Sequence, residues 1–397
     1  MAEASLPKAS PESGKWLSRN VLGIGLTSLL SDMSHEMTTA ILPMFLVTVG
    51  GSAALLGLIE GVADASSSFL KLWMSWYTDR VGRRKPILVL GYVLTGIKGL
   101  FAFTTAWWQV LVIRALAWMG RGSRGPARDA LLADSVSPKA YGRAFGFHRA
   151  SDTMGAILGP AIALALLGRL GYRQIFLVSF VPGVLAVLAV LFLVKDIPGR
   201  LSLKSRMGAS VAALPERFKW YVASVGVFGL GNFAHSLLTL RAMRLLTPAM
   251  GASRATAAAV LLYTLHNIVY AGASYPVGML GDRWSKRGLL LTGYLLFAVM
   301  CVGFALVGAS VLGLGFLFVL AGAYVALVDA MEGALAADLL PTELRGTGYG
   351  VLGMVNGVGD LVSSVVVGYL LTVSVHLAFG YGAVLTALGA IALWRTR

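Results

Sequence analysis

Long apolar runs, separated by short polar segments, occupy almost the whole chain of 397 residues. Each run reaches the roughly 20 residues that a helix needs to cross about 30 Å of hydrocarbon. Lipid leaves only helices and closed barrels as spanning structures, and these runs are too long and too apolar for barrel strands. The pattern therefore predicts an all-α integral membrane protein with twelve transmembrane helices. The expected spans are residues 20–48, 53–77, 86–106, 108–135, 143–167, 173–195, 219–246, 255–280, 288–308, 311–337, 346–372 and 376–394.

The polar segments divide the chain and indicate its orientation. We expect a tail at residues 1–17, a six-helix bundle at 18–195, a linker at 196–218 and a second six-helix bundle at 219–397. Lysine and arginine concentrate in alternate connections, so the positive-inside rule predicts that both termini are cytoplasmic. Arginines in the turns near residues 170 and 250 weaken this rule, because those turns belong to the opposite side. The expected location is the cell membrane, or the inner membrane of a cell that has two.

The composition excludes several other classes of protein. Only 13% of the residues are charged, whereas a soluble globular chain has about a quarter. The net charge of +15 is attributed to basic loops facing anionic lipid, so nucleic acid is not expected as a partner. Cys301 is the only cysteine, which excludes a disulfide within the chain. No phosphate-binding Gly-Lys-Ser/Thr loop is present, so we expect neither ATP nor a cofactor; a monomer is expected.

A short motif of acidic and basic residues recurs at about half the chain length. Asp79-Arg80-Val81-Gly82-Arg83-Arg84-Lys85 lies between the second and third runs. Gly278-Met279-Leu280-Gly281-Asp282-Arg283-Trp284-Ser285-Lys286-Arg287 lies about 200 positions further on. Asp134 and Asp338 are separated by a similar distance. The repetition predicts two duplicated halves, which is a plan known among transporters.

These motifs resemble the signature of the major facilitator superfamily, whose loop between spans 2 and 3 usually reads Gly-x-x-x-Asp-Arg-x-Gly-Arg-Arg/Lys. The first copy lacks only the leading glycine, where Ser75 stands, and the second lacks the later glycine, where Ser285 stands. Gly155-x-x-x-Gly159-Pro160 in span 5 is similar to a motif common in exporters of the superfamily. The resemblance covers essentially the whole chain and extends to a prokaryotic branch without an assigned substrate. It implies a secondary transporter whose two halves rock around a central site.

The resemblance also implies a gating role for the first loop motif. Asp79 would face the positive amino end of span 11, near Arg345. Arg83 would pair with Asp134 at the end of span 4. The alternative is a basic loop that only sets the orientation of the chain in the membrane.

The second loop motif is expected to act in the same way. Asp282 would face the start of span 5, and Arg283 or Lys286 would pair with Asp338. These contacts would close one side of the protein in one state and break in the other. The expected gating residues are Asp79, Arg80, Gly82, Arg83, Arg84, Asp134, Arg143, Gly155, Gly159, Pro160, Asp282, Arg283, Asp338 and Arg345.

Charged residues inside the predicted spans are the strongest candidates for function. Each costs at least about 2.5–3.5 kcal/mol at the bilayer centre, so by default it faces a cavity or a partner. Asp32, His35 and Glu36 share one face of span 1, close to the midplane. A carboxyl group in a dry pocket exchanges a proton near neutral pH, and a histidine does so without help. The pattern predicts proton coupling at these three residues.

Span 4 carries a basic stripe whose members include Arg114 and Arg121. Lys98, Arg114 and Arg121 are candidates for holding an anionic group of a solute, and the alternative is that they form salt bridges with Glu60 or Asp64. Glycines and Pro126 in the same span predict an interrupted helix. The expected substrate-binding residues are Glu60, Asp64, Lys98, Arg114, Arg121, Asn232, His235, Arg241, Tyr263 and Asn267.

Three functional hypotheses follow from these patterns. The first is proton-coupled export of a small organic solute, with an anionic group as one option, and uptake by symport is its variant. The second is export of a divalent metal ion held by Asp32, His35, Glu36 and His235, whose donor atoms suit such ions. The third is a membrane-embedded enzyme or sensor. No Gly-x-Ser-x-Gly or His-Glu-x-x-His pattern supports it, so we do not expect an enzyme.

Overall fold

The computed structural model describes residues 16–81, 83–137, 140–197, 213–341 and 344–395. Within these ranges the chain forms thirteen α-helices and one 3-10 helix. The helices are α1 Arg19–Thr48, α2 Ala53–Val81, α3 Lys85–Gly96, the 3-10 helix Ile97–Phe103, α4 Trp107–Asp134, α5 Tyr141–Leu167, α6 Tyr172–Leu193, α7 Glu216–Gly229, α8 His235–Met250, α9 Ala252–Arg283, α10 Lys286–Leu306, α11 Val311–Leu339, α12 Arg345–Val373 and α13 Val375–Arg395.

These helices make up twelve membrane segments, because two segments are broken in the middle. The 3-10 helix continues α3, and residues 230–234 separate α7 from α8. Nine helical segments of the described chain are long and apolar enough to cross a membrane. The other three are the divided α7–α8 segment and α1 and α4, which carry most of the buried charge described below. The twelve-helix prediction is confirmed, with helix ends within a few residues of the expected spans.

The ends of the helices show local signals from the sequence. Ser18 caps α1 by accepting a hydrogen bond from the backbone N–H of Val21 at 3.3 Å, which satisfies one of the free amide groups of the first turn. Gly50 and Gly251, which follow α1 and α8, both adopt φ of 80°. Only glycine takes this conformation without strain, so the same turn is specified in both halves.

The first six segments and the last six pack as two bundles. In the first, α1 lies against α5 and α6, while α4 lies against α2 and α3; in the second, α11 lies against α9 and α10. The bundles meet mainly where α2 packs on α12, and also where α5 packs on α9 and α1 on α8. The α2–α12 approach is close because it is lined by glycine. A Cβ atom added at Gly57 would lie 2.0 Å from the carbonyl oxygen of Ser364, and one at Gly368 would lie 2.7 Å from that of Ala53.

The two faces of the protein differ in charge and closure. We call the side on which α1 begins and α2 ends the basic face, because Arg19, Arg84, Lys85 and Lys286 lie there. The contacts that α2 makes through Gly57 lie towards the other side, near the start of that helix. The two bundles are thus joined away from the basic face.

Helix α4 corrects one expectation. It runs without interruption from Trp107 to Asp134, through Pro126. Its glycines serve close packing: a Cβ atom at Gly120 would lie 2.8 Å or less from Gly91 O and Leu94 Cβ, and one at Gly122 would lie 2.3 Å from Ser67 O. The glycines therefore bring α4 against α2 and α3 instead of unwinding it.

Candidate functional site

A cavity of about 550 Å³ lies between the two bundles and is lined by residues from both. His35, Glu60 and Arg114 at its inner end are buried, with 1–2% of their surface exposed. Lys71, Arg149 and Asp329, which also line it, are exposed. Because exposure rises towards the end of α2 and the start of α5, the cavity opens to the basic face.

Asp32 on α1 is held by two arginines of α4. Its carboxylate accepts hydrogen bonds from Arg124 at 3.3 Å and from Arg121 at 3.5 Å. Arg124 also donates to the hydroxyl of Ser31 at 2.5 Å and lies 4.3 Å above the ring of Tyr92. Both terminal nitrogens of the buried Arg124 are therefore engaged, whereas Arg121 has a long contact with Asp32 and a side chain that is 36% exposed.

Glu60 and Arg114 form a buried ion pair. The guanidinium donates to both carboxylate oxygens of Glu60 at 2.8–3.1 Å and to the hydroxyl of Thr39 at 3.0 Å. Both side chains are 3% exposed or less. The salt-bridge alternative that the sequence offered for Arg114 is therefore what the structure contains. The pairing offsets part of the cost of removing both charges from water, and removing either partner would leave a buried charge uncompensated.

Trp118 on α4 is surrounded by charged and polar groups. Its indole N–H donates to Asp64 at 2.6 Å. The guanidinium of Arg114 lies 3.6 Å from the ring centroid, and the ring of His35 lies 4.4 Å away. The indole thus fixes Asp64 and separates Arg114 from His35.

His35 lies between two basic side chains. Its Nε2 is 2.9 Å from Nη1 of Arg121, and its Nδ1 contacts Nζ of Lys98. Lys98 is fully buried, with 0% exposure, and belongs to the 3-10 helix rather than to regular α-helix. A Cβ atom at Gly99 would lie 2.2 Å from the ring of Phe180 on α6, so this glycine allows the chain to bring Lys98 towards α1.

Glu36 connects the two bundles. Its carboxylate accepts a hydrogen bond from the hydroxyl of Tyr263 on α9 at 2.7 Å. Its other oxygen is 3.8 Å from Nε2 of His35. A change in the charge of Glu36 therefore acts directly on a contact between the halves.

At the inner end of the cavity, the second bundle presents neutral side chains where the first presents charged ones. Nε2 of His235 is 2.5 Å from the hydroxyl of Tyr324, which donates to Asn232 at 3.2 Å. The rings of His235 and His266 are 4.8 Å apart. Nδ1 of His266 is buried without a hydrogen-bond partner.

The acidic residues of α11 are paired with neutral groups. Asp329 accepts from the hydroxyl of Tyr270 at 2.8 Å, and Glu332 accepts from the amide of Asn356 at 2.5 Å. No lysine or arginine of the described chain lies within 4.0 Å of either carboxylate. The pairing of these two acids therefore differs from that of Asp32 and Glu60 in the first bundle, which are held by guanidinium groups.

The structure brings most of the expected substrate-binding residues to one place. Those that line the cavity are Glu60, Asp64, Arg114, Arg121, His235 and Tyr263. Asn267 instead donates to the carbonyl oxygen of Ala156 on α5 at 3.0 Å. Arg241 lies on α8 beyond His235, and its Nε is buried without a partner. The expected salt bridge from Lys98 to Glu60 or Asp64 is replaced by the contact with His35.

Some contributors to the site carried no signal in the sequence. Thr39 completes the shell of Arg114, and Tyr324 orients His235. A threonine and a tyrosine in an apolar helix look like ordinary core residues. Their roles depend on which helices face each other, which a single sequence does not specify.

The gating expectations have mixed outcomes. Asp134 pairs with Arg84, not with Arg83, because Arg84 ends the loop directly before α3. Asp338 pairs with Lys286 at 2.7 Å, one of the two partners suggested for it. Arg83, Arg143 and Arg283 are exposed. Gly82 and the side chains of Asp79, Arg80, Asp282 and Arg345 lie outside the described residues.

The span-5 motif has a packing role. A Cβ atom at Gly155 would lie 2.4 Å from the carbonyl oxygen of Leu29, and one at Gly159 would lie 2.6 Å from that of Met33. Pro160 follows within the continuous helix α5. The two glycines therefore seat α5 against α1, on either side of Asp32 and Glu36.

The residues of the metal hypothesis do not form a metal site. No group of three or more histidine, cysteine, aspartate or glutamate side chains that could hold a metal ion occurs among the described residues. Asp32 is held by arginines, and both nitrogens of His35 contact basic groups. His235 is held by Tyr324. The hypothesis of a metal exporter is therefore not supported.

Two helical bundles with a polar cavity between them are typical of multi-pass membrane transporters. A family model described as the Major Facilitator Superfamily matches residues 24–249 and 225–397. The chain belongs to this superfamily, whose members are transporters and not enzymes.

Individual relatives agree with this assignment. The chain is 34% identical to an uncharacterized MFS-type transporter of Methanocaldococcus jannaschii, over 99% of this chain and 98% of the relative. It is 23% identical to the gentisate transporter of Corynebacterium glutamicum, over 87% of this chain and 80% of that protein. The crystal structure of the nucleoside transporter NupG, in a D323A mutant, superposes with a TM-score of 0.83 at 13% identity, covering 95% of this chain and 99% of that one. At this identity the similarity to NupG shows the fold alone.

Proposed function

We propose that this protein is a proton-coupled transporter of small organic anions that carry a carboxylate. The observation that carries the proposal is the state of Arg121. Its guanidinium is partly exposed to the cavity, and its one carboxylate contact among the described residues is 3.5 Å long, to Asp32, which Arg124 shares; its other contact is with Nε2 of His35 at 2.9 Å. It is thus available to a carboxylate of a solute, for which a guanidinium is a geometrically matched partner.

The charges around Arg121 link the solute to a proton. Asp32, His35 and Glu36 are the proposed coupling residues, and each contacts either Arg121 or its neighbour His35. A proton on this cluster would offset the charge that an anion brings in. Proton and anion then favour each other's binding, as reciprocal linkage requires. This coupling corresponds to symport, which would drive uptake along an inward proton gradient.

The export direction expected from the sequence remains a prediction. The motif at Gly155, Gly159 and Pro160 favours export, and the close packing of these glycines on α1 gives them a structural reason as well. The cation-rich inner end of the cavity favours symport. Measured direction under imposed gradients distinguishes the two.

The remaining features of the proposal concern topology and gating. We propose that the basic face is cytoplasmic, so that both termini are inside and the described conformation is open inwards. The halves are assigned to residues 18–195 and 219–397, with a linker between them. The pairs Arg84–Asp134 and Lys286–Asp338 would strengthen or break as the halves rock.

Gentisate, the aromatic acid named for one relative, is the first probe. The purified protein in proteoliposomes is expected to accumulate labelled gentisate when the proton gradient is directed into the vesicles, and a protonophore is expected to abolish accumulation. Arg121→Gln should abolish it too. Arg217→Gln is the matched control, because Arg217 is exposed at the start of α7, away from the cavity.

Benzoate and salicylate are tested in the same assay, so that the result does not depend on the choice of one acid. If none of these acids is accumulated while the neutral nucleoside uridine is, the anion proposal is wrong. If the acids are moved equally well with and without a proton gradient, the coupling part of the proposal is wrong.

A further inference from the structure

Lys98 has an unusual environment for a lysine. It is fully buried, and its Nζ contacts Nδ1 of His35. No carboxylate of the described residues lies within 4.0 Å of it. A buried ammonium without a carboxylate is expensive, so the hydrogen bonds around Lys98 need to be accounted for.

The protonation state of Lys98 follows from how many hydrogens each neighbouring group can donate. The guanidinium of Arg121 only donates, and it contacts Nε2 of His35 at 2.9 Å. A neutral imidazole has one N–H and one acceptor nitrogen. If Nε2 accepts from Arg121, the hydrogen is on Nδ1, which then donates to Lys98. An ammonium has no acceptor, so Nζ can receive this bond only as a neutral amine.

The charged neighbours point the same way. The charged groups with the strongest electrostatic effect on Lys98 are Arg114, Arg121 and Arg124 of α4, and Glu36 of α1. On the side of α6, Gly99 of the 3-10 helix packs on the uncharged ring of Phe180. Glu60 is taken by Arg114, and Asp32 is shared by Arg121 and Arg124, so neither carboxylate is free to pair with a further positive charge at Lys98 before an anion enters.

We propose that Lys98 is a neutral amine while the cavity is empty and binds the coupled proton when an anion enters, with His35 as the relay. The proposal rests on the proposed function, which supplies the anion that enters the cavity. It refines where the coupling proton rests: the proton enters the cluster of Asp32, His35 and Glu36 through His35 and is held by Lys98 beside it.

The proton balance of this step is complete. An entering carboxylate binds the guanidinium of Arg121, so Arg121 no longer donates to Nε2 of His35. A proton from the cavity binds at Nε2, and the hydrogen on Nδ1 passes to Lys98. Lys98 becomes an ammonium that donates to Nδ1, the imidazole stays neutral, and its Nε2–H donates to the carboxylate. The cluster gains one positive charge, which offsets the charge of the anion.

The first test needs no solute. Carbon-13 NMR of labelled lysine side chains distinguishes amine from ammonium at Cε, and Lys98→Gln identifies the signal by its loss. The ligand-free protein at pH 7.5 should show Lys98 as an amine. His35→Asn places an amide oxygen where Nδ1 lies in the wild type. This oxygen accepts a hydrogen bond from an ammonium, so Lys98 should become charged in that variant. An ammonium at Lys98 in the wild type, or an unchanged amine in His35→Asn, overturns the inference.

The second test connects the amine to transport. Gentisate binding to the purified protein in weak buffer should take up about one proton per molecule, as the linkage of anion and proton requires. Lys98→Gln should lose this uptake, and Lys219→Gln, an exposed lysine on α7, should keep it. Unchanged proton uptake in Lys98→Gln would contradict the inference. If the wild type binds no gentisate although Lys98 is an amine, the proposed substrate fails and the assignment of the amine stands.

Discussion

The two walls of the cavity solve the same problem with different chemistry. In the first bundle, Asp32 and Glu60 are matched by guanidinium groups, Glu60 by Arg114 at 2.8 Å. In the second bundle, Glu332 is matched by the amide of Asn356 and His235 by Tyr324. Duplication thus preserved the helices but not the charges. The charged wall of the first bundle is therefore suited to binding an anion and a proton. The neutral groups of the second bundle are suited to hydrogen-bonding the rest of a solute.

Removing one buried carboxylate from each bundle should give the largest contrast in stability. Glu60→Gln leaves Arg114 as an uncompensated buried cation, which typically costs about 3–5 kcal/mol. Glu332→Gln keeps an acceptor for Asn356, so we expect a loss below about 1 kcal/mol. Unfolding of the two variants by heat or denaturant, with the protein in detergent, measures both losses of stability. Equal losses would show that the two walls are not energetically different.

Binding should show a smaller contrast in the same direction. Arg121→Gln removes a charge-assisted bond to the solute and should weaken gentisate binding about 100-fold, a change of roughly 2.7 kcal/mol. His235→Asn removes a neutral hydrogen bond, and about tenfold weakening or less is expected. Calorimetric titration of gentisate into the wild type and both variants gives the dissociation constants to compare. A larger effect at His235 would assign anion recognition to the second bundle.

The pairs at the basic face should have the smallest effects on stability. Asp338 is 55% exposed in its pair with Lys286, and Asp134 is 43% exposed in its pair with Arg84. Exposed pairs contribute about 0–1 kcal/mol, so Lys286→Gln and Arg84→Gln should barely change unfolding. Their effect should lie instead in the balance of conformations, measured by the accessibility of a cysteine introduced into the cavity. Unchanged accessibility in both variants would leave these pairs without a gating role.

Much of the fold was predictable because its signals are periodic and repeated. Twelve apolar runs and a motif that recurs after about 200 residues specify helices and duplication without knowledge of any contact. The breaks were not predictable. The 3-10 helix at Lys98 depends on Phe180 packing over Gly99. Likewise, the glycines of α4 looked like helix breakers until the neighbouring backbones were in place.

The candidate site was predictable as a set of residues but not as a set of pairs. Charged residues in apolar helices mark a site because they are costly there, and Asp32, His35, Arg114 and Arg121 all meet near the cavity. Which partner each chooses depends on helix rotation and on distances of a few ångströms. Lys98 shows this, because a carboxylate was the expected partner and a histidine is the observed one.

The central claim is that an anion and a proton cross together through the charged wall. The most direct test records labelled gentisate and internal pH in the same proteoliposomes during uptake. We predict that gentisate entry acidifies the vesicle interior by about one proton per molecule, and that Arg121→Gln abolishes both signals while Arg217→Gln keeps both. Gentisate entry without acidification, or entry that persists in Arg121→Gln, would contradict the account.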